Sequence, residues 1–372
     1  MEMINCHVHT FTQAHTPDRF LPWPVPQLVR LRLMRWLLAR AARVFDKKRK
    51  TALGRYAQII ETSYRKSQRD VFETVRGFYP QDTRFVLLPM DMTMMNAGRV
   101  QVGIDEQHKE IVALRKAYPD GLVIPFAAVD PRHEHIVEKT IARIEQGKFR
   151  GLKLYPPTGY HPFDRRLWPL YEYAEAHNLP VLTHCSRPAS VQYRGDPTPE
   201  MRANPVGDEP LTGDRYELLE CFTDPDAYRP LLEKHPRLRV CLAHFGGAGD
   251  WTRYLDRPWD ATKDVAEPSW LTKILGMLRS GQYPNLWTDV SYTLYANDEH
   301  VYLLKALLSD PRVSSRVLFG SDFYVVENAE LEERRRSVRL RAVLGEELFN
   351  TIARENPRRF LGEDVEGVAT MD

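Results

Sequence analysis

Eight short apolar runs recur along the chain with helical patterns between them, and that alternation limits the fold more than any other feature. The runs are Ile4 to Val8, Arg84 to Met90, Leu122 to Val129, Gly151 to Tyr155, Pro180 to Cys185, Leu238 to Phe245, Asn285 to Ser291 and Arg316 to Asp322. Runs that are apolar almost throughout suit strands buried on both faces of a parallel sheet. Helical patterns fall at Ile104 to Tyr118, His133 to Gln146, Arg165 to His177, Pro225 to Lys234, Val301 to Leu308 and Leu331 to Leu344. The pairs Asp130-Pro131 and Asp224-Pro225 stand at the start of two of them, as helix N-termini favour. Such alternation implies right-handed parallel crossovers, and eight units allow a ring to close. An open doubly wound sheet is the alternative, but no Gly-rich phosphate turn follows the first run. The expected fold is an α/β (β/α)8 TIM barrel. At 372 residues the whole chain, 1–372, reads as one barrel domain.

Two insertions interrupt the pattern. One, at about residues 20–80, carries an Arg-rich helical stretch from Leu28 to Phe45 and a second from Thr51 to Val75. The other is a long loop, rich in Pro, Gly and charge, from Ser186 to about Cys221. Both follow the C-terminal ends of strands, so both are expected over the catalytic mouth of a barrel.

A net charge of +2 gives no global basic field for nucleic acid. Four cysteines without a CxxC fit a reducing cytoplasm better than a disulfide framework. Met1 to Thr10 reads as a strand rather than a secretion signal. No stretch reaches the roughly 18 uninterrupted apolar residues of a membrane span. The expectation is a soluble, cytoplasmic protein.

The chemistry begins with His7-x-His9. In a chain with 12 histidines the spacing alone says little, and His133-x-His135 repeats it. The second pair opens a predicted helix, where i and i+2 diverge, so it is expected to be a solvated helix N-terminus. His7 and His9 end a strand, where period-two geometry puts both on one side. His184 ends the fifth run, His244 the sixth and Asp322 the eighth, and in a closed barrel these ends meet at one mouth. Three imidazoles and a carboxylate leave an open position for water or substrate, as a catalytic metal site requires. Lys153 ends the fourth run. There it is a carboxylated bridge to a second metal, a free cation for a substrate anion, or a salt-bridged strand lysine. Tyr155 would be pocket wall beside it. Asp91 and Asp289 end the second and seventh runs, in position either to line the pocket or to hydrogen-bond structurally. Trp251 fits a substrate wall or ordinary packing, and the charge run Glu330 to Arg341 fits the wet face of a helix.

The segments NCHVHTF, GLKLYPP, THC, AHFGG, FGSDF and ENPRRFLG, in that order from residue 3 to about 362, resemble the amidohydrolase superfamily. The likeness is to its amidohydrolase-related branch, which includes aminocarboxymuconate-semialdehyde decarboxylase and related aromatic-acid decarboxylases. The resemblance implies that His7, His9, His184 and Asp322 bind a metal, usually zinc, while His244 works on the substrate. One Zn2+ is expected, two if Lys153 is carboxylated, with Mn2+ as the alternative ion. The Arg-rich insertion is not part of the shared core, so the substrate does not carry over.

The expected activity is hydrolysis of an ester, lactone or amide-type bond in a small carboxylated molecule by metal-activated water. Asp322 would take the water proton, and His244 would donate a hydrogen bond to the carbonyl oxygen. A non-oxidative decarboxylase or hydratase on the same shell is the alternative, with Arg187 or Lys153 holding the carboxylate. A third reading docks the basic stretch Leu28 to Phe45, with Trp23 and Trp36, on a membrane surface. A lid or dimer helix is favoured over that. The partners expected are a small-molecule substrate and a second copy in a homodimer.

Overall fold

All eight apolar runs form strands in the computed structural model, which describes residues 3–20, 63, 65–188, 191–256, 268–295, 298–324 and 330–363. They are β1 (Ile4–Val8), β2 (Arg84–Leu87), β3 (Val123–Pro125), β4 (Ala127–Val129), β5 (Leu152–Leu154), β6 (Val181–Ser186), β7 (Val240–Gly246), β8 (Leu286–Asp289) and β9 (Val317–Leu318). Every ladder is parallel and joins strands in chain order, β1 to β3 in one sheet and β4 to β9 in another. Helices such as Ile104–Ala117, Ile136–Gly147, Trp168–Ala176 and Glu299–Leu307 cross between them.

The third run is therefore split, not one strand as expected. Pro125 has no N–H to continue a ladder. The first half of the run pairs with β2 and the second with β5. Phe126 N donates to Leu87 O at the seam, keeping the two sheets continuous. The other seam lies between the chain ends. Cys6 N donates to Phe319 O, Asp322 N to His7 O and His9 N to Phe323 O, at 2.9, 2.9 and 2.7 Å. Val8 and Phe323 form a parallel bridge. These bonds close the TIM barrel. Only Val317 and Leu318 of the eighth run pair with β8, and beyond them Phe319 N donates to Ile352 O and Asp322 N to His7 O.

Strand alternation then sorts the side chains into two layers. Cys6, Val86, Leu88, Ile124, Leu182, Cys241, Ala243, Trp287 and Leu318 pack together inside the ring, with Phe360 and Leu361 of the C-terminal segment against them. Their strand neighbours Phe85, Leu87, Leu152, Leu154, Val240, Leu242 and Val317 pack outward with the helices. Lys153 lies between outward-facing Leu152 and Leu154, which places it on the inner face. All four cysteines are free, and three are buried.

Several expectations shift at the helices. The helix expected from His133 starts at Ile136. His135, just before it, is exposed in a left-handed conformation at φ 55°. His133 is half-buried, with Nε2 on Asp91 Oδ2, so only His135 behaves as a solvated helix start. Arg165 to His177 and Pro225 to Lys234 each open with a 3-10 turn before their α-helix. Among the described residues, three helices of nine residues or more were not anticipated, Arg215–Thr223, Ala248–Asp256 and Trp270–Ser280. Nor were the short ones Pro311–Ser314, Glu346–Asn350 and Asn356–Phe360. Of the longer three, the last has the signals in plain view, a Ser269 cap on Thr272 N and Gly281 in the left-handed region at its end. The charge run Glu330 to Arg341 lies on the helix Glu330–Leu344. The stretch Leu28 to Phe45, with Trp23 and Trp36, lies outside the described residues. From the second helical stretch of that insertion, the described helix is Gln68–Arg76, which buries Val71, Phe72 and Val75. Among the described residues no helix is long and apolar enough to cross a membrane.

The loop after β6 reaches across the mouth. Arg194 donates from its guanidinium to Arg19 O and Phe20 O, and from its backbone N–H to Met95 O. Pro17 and Val100 bridge the loops after β1 and β2. Three loops are thus laced into one rim.

Asn5 ties the closing seam together with its side chain. Its Nδ2 donates to Ser321 Oγ, while its Oδ1 accepts from Ser321 N and His7 N. Removing it leaves buried backbone donors unpaired. Asn5→Ala is expected to lower unfolding stability by about 2 kcal/mol, read by urea unfolding. A loss below about 0.5 kcal/mol would show that the seam holds without it.

Candidate functional site

The closing seam sets the ends of β1 and β9 side by side, and so delivers His7, His9 and Asp322 to one point. His7 Nε2 lies 3.2 Å from His9 Nε2 and 3.4 Å from Asp322 Oδ1, and His9 Nε2 is 3.2 Å from that same oxygen. Hydrogen bonding on the far side of each ring fixes what these atoms offer. His7 Nδ1 sits 2.8 Å from the Asp289 carboxylate, and His9 Nδ1 is 2.8 Å from Leu88 O. A carbonyl and a carboxylate only accept, so each Nδ1 carries the proton and each Nε2 a lone pair.

Three acceptor atoms therefore converge with no donor among them. Ligand atoms at about 2.1 Å from a tetrahedral metal stand about 3.4 Å apart, close to the spacings found. The donor set fits a divalent cation. The carboxylate and carbonyl behind the two rings are the outer partners that orient metal-binding histidines.

Burial shapes the electrostatics. It holds the His7 imidazole well below its usual pKa, with Lys153 adding to the effect, and it also lowers those of His184 and His244. Burial pushes the Asp322 carboxyl up, but contact with His9 and the surrounding rings outweighs it and keeps the group ionised. Lys153 is 1% exposed, and its Nζ stands 3.5 Å from His7 Nε2. Burial lowers its pKa to about 8, against the pull of Asp322 and Asp289.

His244 and His184 form the adjoining wall. His244 Nε2 is 3.0 Å from His184 Nδ1, and His184 Nε2 is 3.0 Å from Ser186 Oγ. His184 faces His244 and does not join the compact group of His7, His9 and Asp322. The Tyr155 ring lies 4.7 Å from that of His184, and its backbone N–H is held by Tyr160 OH. Arg187 is placed differently. Its guanidinium donates to Asp250 and Glu220 and covers the Trp270 ring, so two carboxylates already neutralise it. Trp251 is fully buried, with its indole N–H on Phe245 O, and is packing. Asp91 is engaged by His133 and Thr93.

Asp289 is more than a strand-end carboxylate. One oxygen takes His7 Nδ1–H and the other takes His244 N, Ser291 N and Ser291 Oγ–H. Ser291 itself escaped the sequence reading, although the run ends on it. Backbone strain gathers at the same strand ends: His244, Phe245, Tyr292 and Asp322 have φ of 69, 48, 61 and 58°. Non-glycine residues rarely adopt such values outside sites that hold them there.

A family model described as amidohydrolase matches residues 4–362. The chain belongs to the amidohydrolase family. Its members being enzymes, this chain is one of the same type. Among curated proteins none matches it. Solved structures with a similar fold include an uncharacterised TIM-barrel protein from Bordetella bronchiseptica, 17% identical at TM-score 0.55 over 97% of this chain and 99% of that one. A second is a dihydroxybenzoic acid decarboxylase from Polaromonas sp. JS666 with bound manganese and the inhibitor 2-nitroresorcinol, 12% identical at TM-score 0.55 over 97% of each chain. A third is 4-oxalomesaconate hydratase from Rhodopseudomonas palustris, 15% identical at TM-score 0.51 over 97% of this chain and 95% of that one.

Asp289→Asn replaces one accepting oxygen by an amide donor. Divalent-metal affinity is expected to fall about 10- to 100-fold, measured by competition with a chromophoric chelator. An unchanged affinity would remove Asp289 from the role of orienting His7.

Proposed function

We propose that the chain is a metal-dependent lyase acting on a small carboxylated molecule, by non-oxidative loss of CO2 or by addition or removal of water. The observation that carries the reading is Lys153, a buried ammonium 3.5 Å from a proposed metal ligand. Arg187, the other cation considered for this place, is already paired with Asp250 and Glu220. Kinship in fold to a decarboxylase and a hydratase supports lyase chemistry over hydrolysis.

His7, His9 and Asp322 would hold a single divalent ion, and His184, the further ligand that the resemblance implies, would have to turn from His244 to join them. Two imidazoles and a carboxylate suit zinc or manganese, and the Polaromonas enzyme carries manganese. Such an ion supplies Lewis acidity to a substrate oxygen. Lys153 would stabilise the negative charge that collects on substrate oxygen as the C–CO2 bond breaks and its electron pair moves into the conjugated system. His244, having taken up a proton from water, would deliver it to the carbon that CO2 leaves. Tyr155 would form the pocket wall beside His184.

A second reading, hydrolysis, draws on Asp322. One of its oxygens faces both His7 and His9, which leaves the other to accept a proton from water. The two readings part on product. Metal-loaded enzyme is offered aromatic and unsaturated carboxylic acids, and CO2 release and water addition are followed alongside cleavage of esters, lactones and amides. Turnover by CO2 release or hydration is expected, and turnover confined to ester, lactone or amide cleavage would replace the lyase by a hydrolase.

Lys153→Met is expected to lower kcat/KM about 100- to 1,000-fold while one metal per chain is retained. If that variant instead loses half of two bound metals, Lys153 is a carboxylated bridge.

A further inference from the structure

We infer that Ser291 is a positioning residue that couples the Asp289 carboxylate to His244 and fixes which ring nitrogen of His244 exchanges a proton with substrate. The inference takes its catalytic meaning from His244 as proton carrier in the proposed function, but its geometry stands apart from the reaction.

Ser291 is fully buried two residues after the end of β8. Its Oγ contacts Asp289 Oδ1, lies 2.9 Å from His244 Nδ1 and 3.1 Å from His7 Nδ1. A hydroxyl has one proton to give. Asp289 accepts at both oxygens from His7, from two backbone N–H groups and from Ser291, as an acceptor-only carboxylate does. The serine proton is therefore directed to Asp289, and Oγ can only accept from His244 Nδ1. A second contact agrees: His244 Nδ1 is 3.3 Å from Ser291 O, a carbonyl with nothing to donate. His7 Nδ1–H has its shorter partner in Asp289 Oδ2 at 2.8 Å, so it does not compete.

The tautomer of His244 follows. Nδ1 bears hydrogen, and Nε2 keeps its lone pair on the side of His184, whose Nδ1 lies 3.0 Å away. Neutral His244 thus meets the mouth as a proton acceptor at Nε2. On that tautomer a hydrogen bond from Nε2 to a substrate carbonyl would need a second proton on the ring. Asp289 and Thr293 hold the strained backbone, since Asp289 Oδ1 accepts His244 N while Thr293 Oγ donates to His244 O.

The test is made on zinc-loaded protein labelled with 15N-histidine, with the His244 signals assigned by their loss in His244→Gln. Wild-type protein is expected to show a lone pair on Nε2 and a slowly exchanging Nδ1–H. Ser291→Ala should speed exchange of that proton and mix the tautomers. Ser291→Cys, with its weak donor and acceptor, should fall between. With an assayable substrate, Ser291→Ala should lower kcat about tenfold or more, leaving KM and zinc content unchanged. A wild-type His244 protonated at Nε2, or a Ser291→Ala spectrum with the tautomer and Nδ1–H exchange of wild type, overturns the inference. The spectra decide it even if the reaction proves to be hydrolysis, so failure of the lyase reading is seen separately.

Discussion

The hydrogen bond from Asp322 N to His7 O, with its neighbours from Cys6 N and His9 N, is the constraint on which the site depends. Backbone groups buried away from water must find partners, and the end strands of an open sheet would leave a row of them unpaired. Closing the ring satisfies them. It also brings the two ends of the chain together, so that a carboxylate from the last strand reaches two imidazoles from the first. Asn5 reinforces the seam, bonding to Ser321 and to the His7 backbone at once.

Concentrating so much polarity inside a barrel is costly unless each group is partnered. Asp289 answers much of that demand. It receives donors from β1, from β7 and from its own following turn, and it thereby fixes the His7 ring, the His244 backbone and the Ser291 hydroxyl. Lys153 balances the carboxylates from the inner face of β5, where Coulomb attraction to Asp322 and Asp289 opposes its desolvation. What stays unbalanced is local: three lone-pair atoms of His7, His9 and Asp322 point at one another. A cation resolves that. The left-handed backbone at His244, Tyr292 and Asp322 persists because this bonding over-determines it.

Much of the barrel was legible in the chain itself. Eight apolar runs became eight strand positions, and His7, His9, His184, His244 and Asp322 were marked by standing at run ends. Where the reading slipped, a specific contact decided the matter. Pro125 divided the third run by withholding an N–H. His133 turned to Asp91, an acidic partner from the loop after β2. Arg187 met Asp250 and Glu220, which lie in helices that the sequence reading had not drawn. Ser291 was passed over because a serine has no distinctive spacing, and its role exists only where Asp289, His7 and His244 surround it.

The sequence by itself determined the period of the strands, the family and the residue types available at the mouth, because hydrophobic alternation and motif order are properties of the chain. The tertiary structure alone decided which atoms of those residues are free. Whether a histidine nitrogen carries a proton or a lone pair depends on the acceptor behind the ring. Those acceptors, Leu88 O for His9, Asp289 for His7 and Ser291 for His244, come from other strands brought alongside by closure. The physical reason is that hydrogen-bond direction is set by neighbours in space, and a chain fixes its neighbours in space only by folding.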